Sequence, residues 1–462
     1  MKRRAFLAGM APAVLRARDS RPNILFAIAD DWGWPFAPAC GDTVAPLPAF
    51  ERVCSEGAVF TQAYCAAPSC SPSRAAILTG QAPHRLEQGG NLWGYLPAKF
   101  PVYPDLLENA GYAIGMERKG WGPGSVQAAG RARNPAGPAF PNFSAFLHQA
   151  PPGKPFCYWF GSQDPHRPYE KGSGAASGLD ASRVRVPPFL PDTPEVRSDL
   201  LDYYYEVQRF DRETGQILAQ IERAGRLDNT LVVMTGDNGT PFPRAKANLY
   251  GWGCRQPLAI RWPERVRRGH TVDEFAGLAD LCPTFLEAAG LKPSPEMTGR
   301  SLLPLLEGRR DPREHVFLER ERHADVRAGR LGYPMRAVRT RDFLYIRNLR
   351  PDRWPAGDPP RFGDVDGGPT KDYMLERRDE RPFQRLFDLA FGKRPAEELY
   401  DLKNDPHEMD NLAGDSRHAA AKARLRATLD RWMRDTADPR AARDEDPWDA
   451  YPYFGGGGAT KK

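Results

Sequence analysis

A cysteine stands at the start of a predicted helix within residues 70–80, which read C-S-P-S-R-A-A-I-L-T-G. The Ser-Pro pair is typical of the turn that begins a helix, and the apolar run after it predicts the helix itself. Backbone N–H groups and the helix dipole favour negative charge at this end. Arg74 adds a positive charge four residues after Cys70. The stretch therefore predicts a site that handles an anion beside the Cys70 thiol.

Acidic and amide side chains follow two continuous apolar runs that are typical of buried parallel strands. The first run leads into Asp30 and Asp31, and the second leads into Asp237 and Asn238. Open α/β sheets bind ligands at the carboxyl ends of their strands, so we expect these side chains to meet. Three carboxylates and one amide oxygen suit Ca²⁺ or Mg²⁺ better than zinc. Each pair alone is also typical of a solvated turn, but the two pairs together predict a metal site.

Cationic side chains are candidates for the groups that hold the anion: Arg74, Lys119, Lys246 and His166. A sulfate or phosphate group spreads its charge over several oxygens, so its site needs metal, lysine and arginine donors. Taken singly, a lysine or arginine is usually a solvated surface residue and a histidine is usually structural. Together with the predicted metal ligands, these cations favour an enzyme that acts on a tetrahedral anion.

The order of predicted elements indicates an α/β fold. Apolar runs predict three buried strands, at residues 23–29, 156–160 and 230–235. Residues 194–224 predict a long helix, with Thr193 as its N-cap. Strands that alternate with helices over about 300 residues favour a large doubly wound, mostly parallel sheet flanked by helices.

The sequence divides into four predicted parts. They are a signal peptide at 1–20, a catalytic domain at 21–308, a smaller C-terminal α+β subdomain at 309–440 and a flexible tail at 441–462. The subdomain begins with a highly charged segment at 309–330. Its antiparallel sheet is predicted from a strand pair at 335–346 and a strand at 398–402, followed by a surface helix at 417–436.

Composition excludes several classes of protein. The 462 residues include 65 basic and 59 acidic side chains, a net charge of +6, with no dense Lys/Arg block, so nucleic acid is not an expected partner. No internal stretch approaches the roughly 20 apolar residues that span a bilayer. The seven cysteines have no C-x-x-C spacing, which argues against a zinc site and a dense disulfide scaffold. The sequence does not decide whether one disulfide bond forms if the protein is exported.

The N-terminus predicts export. Residues 1–15 combine a basic start with a short apolar run, and Arg3-Arg4-x-Phe6-Leu7 resembles a twin-arginine signal. We therefore expect the export machinery to be a partner and the protein to be periplasmic or secreted. The alternative is a tail whose apolar content is accidental.

The chain resembles the type I sulfatases of the alkaline phosphatase superfamily in a series of ordered motifs. They are R-P-N-I-L-F-A-I-A-D-D, C-S-P-S-R-A-A-I-L-T-G, K-G-W-G-P, D-P-H-R-P and T-G-D-N-G. The match covers roughly residues 22–305, with a weaker match to about 412. S-Q-D-P-H-R-P and G-T-P-F-P-R-A-K-A-N-L-Y are most similar to the heparan N-sulfatase, or sulfamidase, branch. The resemblance implies an alkaline phosphatase-like fold and a sulfated carbohydrate substrate.

The resemblance also implies a role for each candidate residue. Ca²⁺ binding is implied for Asp30, Asp31, Asp237 and Asn238. Cys70 is implied to become formylglycine through a formylglycine-generating or sulfatase-maturating enzyme, and to complete the metal shell.

Hydrated formylglycine is a geminal diol, so one hydroxyl attacks sulfur and the other later expels sulfate. Arg74 and Lys119 are implied to hold the hydrate. His166 and Lys246 are implied to contact the sulfate, and His166 to protonate the leaving atom.

One departure from the family pattern affects proton transfer. Sulfatases commonly place a histidine within two residues after the lysine equivalent to Lys119, but Gly120 and Trp121 follow here. The base for the elimination step is therefore unassigned, with His84 as a candidate. Trp121 is predicted instead to form a wall on which a sugar stacks.

Two alternatives share the same recognition chemistry. One is a phosphatase or phosphonate hydrolase of the same superfamily, and the other is an inactive homologue that binds sulfated glycan. The sequence leaves open whether the scissile bond is an O-sulfate ester or an N-sulfamate.

Overall fold

The computed structural model describes residues 21–455, so the predicted signal peptide at 1–20 and residues 456–462 lie outside the described range. Eleven strands form two sheets in the described part. The larger sheet contains β1 Asn23–Ala29, β2 Ala58–Tyr64, β3 Ala113–Arg118, β4 Phe156–Gly161, β5 Thr230–Gly236, β6 Leu258–Arg261 and β7 His270–Gly277. The smaller sheet contains β8 Val316–Arg320, β9 Met335–Arg339, β10 Phe343–Asn348 and β11 Glu397–Asp401.

The larger sheet has the strand order β3-β4-β1-β5-β6-β2-β7. β1 pairs in parallel with both β4 and β5, β3 with β4, and β2 with β7, whereas β6 is antiparallel to its two neighbours. The smaller sheet, β11-β10-β9-β8, is antiparallel throughout. The predicted mostly parallel sheet and the separate antiparallel sheet are confirmed.

The helices of residues 21–455 are α1 Pro48–Glu56, α2 Cys70–Thr79, α3 Tyr103–Asn109, α4 Phe143–Gln149, α5 Ser173–Ala176, α6 Pro194–Arg223, α7 Gly251–Cys254, α8 Leu281–Ala288, α9 Leu303–Leu306, α10 Pro369–Glu376, α11 Gln384–Phe391 and α12 Ala419–Asp435. The predicted long helix is α6, and the Thr193 hydroxyl accepts the N–H of Val196 as its N-cap. None of these helices is long and apolar enough to cross a membrane.

Alternate side chains of β1 enter two different cores, as a doubly wound sheet requires. Ile24, Phe26 and Ile28 pack in one buried cluster with side chains of α2, α3 and α8. Leu25 and Ala27 pack in the other, with side chains of α1, α4 and α6. The first cluster continues into residues of β8, β9 and β10, so the two sheets share a core.

The structure settles two features that the sequence left undecided. The charged segment at 309–330 contains strand β8, whose Glu319 and Arg320 are buried in ion pairs with His84 and Asp364. Hydrophobic periodicity did not predict this strand, because charged residues occupy part of it and flank it. The cysteines of the described part are all buried and free, so the disulfide that the sequence left open is not formed there.

Part of the predicted flexible tail is packed against the body of the protein. Trp448 is 2% exposed, and its carbonyl accepts the Asn91 side-chain N–H at 2.9 Å. The Arg322 guanidinium donates to the carbonyl of Tyr451 at 2.8 Å. These contacts fix residues 447–451 in place.

Asp211 of α6 holds the start of α1. Its carboxylate accepts the backbone N–H groups of Ala49 and Phe50 at 3.0 and 2.8 Å. These groups have no partner within their own helix, and the N-cap residue Leu47 offers no side-chain acceptor. Asp211 therefore caps α1 from a neighbouring helix. Burial raises the pKa of its carboxyl to about 6.

Asp211→Asn is expected to change the pH dependence of stability. The carboxyl has a pKa of 3.8 in a model compound, so the folded state binds its proton more tightly than the unfolded chain does. Its contribution to stability is therefore full below pH ~4 and is lost as the pH rises through ~6, a change of about 3 kcal/mol. Thermal denaturation from pH ~4 to ~7 should show wild type losing stability relative to the variant.

The matched control is Asp228→Asn, which removes a carboxyl that is 96% exposed. Its stability difference from wild type should stay nearly constant over the same pH range. A constant difference between wild type and Asp211→Asn would contradict the raised pKa of the Asp211 carboxyl.

Candidate active site

Four neighbouring parallel strands, β3-β4-β1-β5, end at one edge of the larger sheet. The residues that follow them directly are Lys119 after β3, Asp30 and Asp31 after β1, and Asp237 and Asn238 after β5, with His166 five residues after β4. Backbone hydrogen bonds align these ends, including Asp237 N–H to Ala29 O at 3.1 Å and Lys119 N–H to Gly161 O at 2.9 Å. The sheet thus brings the predicted strand-end residues together.

Cys70 is the first residue of α2, and Ser69 is the N-cap. The predicted position of the thiol at a helix N-terminus is therefore correct. Cys70 is buried, and its Sγ–H donates to Asp30 Oδ1 at 3.2 Å. Ser73 ties the helix to the sheet, because its hydroxyl donates to the carbonyl of Asp237 at 2.5 Å.

Three buried carboxylates and the Cys70 thiol form one cluster. Ligand atoms of Asp30, Asp31, Asp237 and Cys70 all lie within 4.8 Å of one another. Each of these residues is at most 3% exposed. Carboxylates this close repel each other strongly in a buried setting, so the cluster requires positive charge.

The predicted cations supply charge to this cluster. Arg74 Nε lies 2.7 Å from Asp237 Oδ2, and Lys119 Nζ lies 2.5 Å from Asp30 Oδ2. Lys246 Nζ lies 2.6 Å from both oxygens of Asp31. His166 is more distant, with Nε2 3.9 Å from Asp31 Oδ2. All four predicted cationic residues therefore converge on the carboxylates.

Neighbouring charges outweigh burial for two members of the cluster. Burial alone would raise the pKa of the Asp30 carboxyl, but the charges of Lys119, His166 and Arg74 hold that pKa well below its usual range. Burial alone would lower the pKa of Lys246, but the charges of Asp31 and Asp366 raise it well above its usual value. Both groups are therefore ionised at neutral pH.

The donor set fits a hard divalent cation. Asn238 Oδ1 is buried and accepts no hydrogen bond from the described residues, while its Nδ2 donates to Asp31 Oδ1 at 2.6 Å. A buried carbonyl oxygen without a donor is costly, and metal coordination would satisfy it. Together with three carboxylates it makes an all-oxygen set that suits Ca²⁺ or Mg²⁺.

A cavity of about 780 Å³ opens onto the cluster. Its lining includes Cys70, Lys119, His166 and Lys246, all of which sequence analysis identified. A sugar-sized molecule fits a space of this volume. The cavity therefore combines a buried anion-handling end with room for a leaving group.

Among the cavity residues that sequence analysis missed, Asp366 and His323 come from beyond residue 308. Asp366 Oδ2 lies 3.3 Å from Lys246 Nζ. His323 Nδ1 lies 2.8 Å from the hydroxyl of Ser69, next to Cys70. Burial lowers the pKa of His323 to about 3, so its ring is neutral. Neither residue ends an apolar run, so no sequence signal pointed to them.

Two expectations about proton transfer and stacking are corrected. Trp121 borders the cavity but is only 3% exposed and packs in the core, so its indole face is not available for stacking on a sugar. Trp93, which is partly exposed, lines the cavity instead. His84 lies outside the cavity lining, where its Nδ1 pairs with Glu319 at 2.9 Å. It is a structural residue, not the missing base.

Solved structures of similar proteins have the same fold. A protein in complex with its substrate D-glucosamine-2-N,6-O-disulfate matches with a TM-score of 0.65 at 20% identity, over 92% of this chain and 99% of that chain. The phosphonate monoester hydrolase of Agrobacterium radiobacter matches with a TM-score of 0.66 at 17% identity, over 90% and 96%.

Sequence comparison is more specific. A human N-sulphoglucosamine sulphohydrolase is 32% identical over 91% of this chain and 91% of its own length. An ulvan-active sulfatase of Formosa agariphila is 28% identical over 89% of this chain and 75% of its own length. Residues 245–356 match the model of the C-terminal region of N-sulphoglucosamine sulphohydrolases. The sulfatase family model matches residues 22–127 and 136–291, more than half of the chain, and the chain therefore belongs to the sulfatase family.

Proposed function

We propose that the protein, a sulfuric ester or sulfamate hydrolase by its family, releases sulfate from a sulfated carbohydrate with Cys70 converted to formylglycine and Ca²⁺ bound beside it. The observation that carries this proposal is the contact between Cys70 and the buried carboxylates. The thiol at the N-terminus of α2 touches Asp30 within a cluster whose oxygen donors, including the unpartnered Asn238 Oδ1, suit a divalent cation. This contact supports a nucleophile at residue 70 and a metal beside it, at one end of one cavity.

The metal is assigned to the strand-end oxygens. Asp30, Asp31, Asp237 and Asn238 would hold it, with residue 70 completing the shell. A bound divalent cation supplies Lewis acidity that favours deprotonation of a nearby hydroxyl and neutralises charge on a sulfate oxygen. Mg²⁺ is the alternative cation for the same donors.

The nucleophile is assigned to residue 70 after modification. A separate formylglycine-generating or sulfatase-maturating enzyme supplies the two-electron oxidant that converts the Cys70 CH₂–SH group to an aldehyde, with the sulfur leaving at the sulfide level and an oxygen taking its place. Formylglycine supplies a hydrated aldehyde with two hydroxyl groups on one carbon, which neither cysteine nor serine offers. Arg74 and Lys119 are assigned to hold those oxygens, because both contact Asp30, the carboxylate that touches Cys70.

Sulfate recognition and leaving-group protonation are assigned to Lys246 and His166. Lys246 is almost fully buried and charged, so it offers a fixed ammonium to sulfate oxygens. His166 donates its Nδ1–H to the carbonyl of Arg167 at 2.6 Å, so Nε2 is the nitrogen left to deliver a proton. That proton would pass to the oxygen or nitrogen that departs from sulfur.

The relatives support a carbohydrate substrate. The human relative is named for N-sulphoglucosamine, and the match at residues 245–356 is to the C-terminal region of that group of enzymes. We therefore propose an N-sulfated or O-sulfated sugar, similar to those of the heparan N-sulfatases. The N-terminal sequence supports export to the periplasm or beyond the cell.

The protein is expected to release sulfate from 4-nitrophenyl sulfate and from at least one sulfated sugar. The test uses wild-type protein co-produced with a maturation enzyme. Sulfate and phosphate release are measured for 4-nitrophenyl sulfate, 4-nitrophenyl phosphate, N-sulfoglucosamine and glucosamine 6-sulfate. Faster release of phosphate would favour a phosphatase or phosphonate hydrolase. Binding of sulfated glycan without any turnover would favour an inactive homologue, and turnover of O-sulfates alone would exclude the sulfamidase assignment.

Cys70→Ser is expected to lose at least about 10³-fold in kcat, since one hydroxyl cannot replace a hydrated aldehyde. Mass spectrometry of the wild-type peptide that contains residue 70 should show a species lighter than the cysteine form. The matched control is Cys54→Ser, a buried cysteine of α1 that should keep its activity. An active Cys70→Ser protein would refute the assigned nucleophile.

Ca²⁺ is expected to raise the melting temperature of metal-free wild-type protein, because it binds only the folded state. At 100 times Kd the gain corresponds to about 2.7 kcal/mol. Asp31→Asn should lose most of this gain, whereas Asp273→Asn, which changes a carboxylate that is 61% exposed, should keep it. An equal Ca²⁺ response in all three proteins would contradict the assigned site.

A further inference from the structure

Asp366 places a carboxylate in a cavity that is otherwise built for an anion. It lines the same cavity as Cys70, and its side chain is 26% exposed. Its Oδ2 meets the Lys246 ammonium at 3.3 Å but accepts no well-aligned hydrogen bond from the described residues. The same ammonium already lies 2.6 Å from both oxygens of Asp31. Asp366 is therefore not needed to neutralise Lys246, and it keeps acceptor capacity for a ligand.

The segment that carries Asp366 is held rigidly. Two residues before it, Asp364 binds the guanidinium groups of Arg320 and Arg327. Four residues after it, the Thr370 hydroxyl donates to Asp199 Oδ2 at 2.6 Å, and the same carboxylate binds Arg167. Anchors on both sides fix the carboxylate before any ligand arrives, which is what selective recognition requires.

Asp366 lies beside the proposed proton donor to the leaving group, His166. Ligand atoms of Asp31, His166 and Asp366 lie within 4.8 Å of one another, and His166 is the proposed proton donor to the leaving atom. The Lys246 ammonium already contacts both carboxylates of this group, so a second metal ion is not needed there. A carboxylate repels the oxygens of sulfate, so its partner must carry hydrogen-bond donors.

We propose that Asp366 determines specificity by accepting hydrogen bonds from hydroxyl or N–H groups of the leaving group, and so selects sulfated sugars over sulfate esters without such donors. This inference rests on the proposed function. Oδ2 of Asp366 is buried against Lys246, so Oδ1 is the oxygen that a hydroxyl or N–H group of a sugar in the cavity can reach. An aryl leaving group has no donor to offer, so it leaves Asp366 without a partner.

The test compares two substrates in the same protein. Asp366→Asn and Asp366→Ala are assayed on 4-nitrophenyl sulfate and on whichever of N-sulfoglucosamine and glucosamine 6-sulfate wild type hydrolyses faster. The loss of kcat/KM on the sugar should exceed the loss on the aryl ester by about 10- to 100-fold. Glucosamine should inhibit aryl ester hydrolysis by wild type and inhibit the variants at least about tenfold more weakly.

Asp372→Asn is the matched control, because it removes an exposed carboxylate six residues away on α10, outside the cavity lining. It should leave both activities and the inhibition unchanged. Equal losses on both substrates in the Asp366 variants would overturn the proposal, since the carboxylate would then act only through Lys246. Unchanged activity on both would overturn it as well.

The outcomes separate this proposal from the proposed function. If wild type hydrolyses the aryl sulfate but neither sugar, sulfate hydrolysis stands and the role of Asp366 fails. If wild type releases sulfate from no substrate, the proposed function and the role of Asp366 both fail. The ratio of two activities measured on one preparation also cancels any partial loss of folded protein.

Discussion

The candidate active site lies at one edge of the larger sheet, and its arrangement depends on burying three carboxylates within a few ångströms of one another. Asp30, Asp31 and Asp237 are at most 3% exposed, so their mutual repulsion is weakly screened. Each carboxylate is paired with one cation: Asp30 with Lys119, Asp31 with Lys246 and Asp237 with Arg74. Such a cluster is stable only when the backbone holds every partner in place. The parallel sheet provides that constraint, because four adjacent strands end together.

Helix α2, which begins at Cys70, is hydrogen-bonded to the same edge of the sheet. Arg74 donates to the carbonyls of Lys119 and Gly120 at 2.8 and 2.9 Å, while its Nε binds Asp237. One side chain of α2 therefore joins the residues after β3 to those after β5. Ser73 adds a second bond to Asp237. Cys70, the proposed nucleophile, is thus positioned by the same contacts that balance the buried charge.

Sequence reasoning identified the residues that follow the parallel strands, and it missed Asp366 in an irregular loop. Asp30 and Asp237 follow continuous apolar strands, so the rule that ligands lie at carboxyl strand ends was sufficient to find them. Asp366 lies in an irregular loop, where hydrophobic periodicity carries no information about position. The burial of Trp121 depends on contacts with distant parts of the chain, which a motif cannot reveal.

The two parts of the chain contribute different chemistry to the cavity. Residues before 308 supply the carboxylates, the cysteine and the cations of the candidate site. The part beyond 308 adds two residues to the cavity. Asp366 contacts Lys246, and His323 contacts Ser69, the residue before Cys70. The two sheets share a core, and the ion pairs of Asp364 with Arg320 and Arg327 anchor the loop that carries Asp366. A hydrolase built this way can change its choice of leaving group through the C-terminal loops without disturbing the buried charge balance on which the chemistry depends.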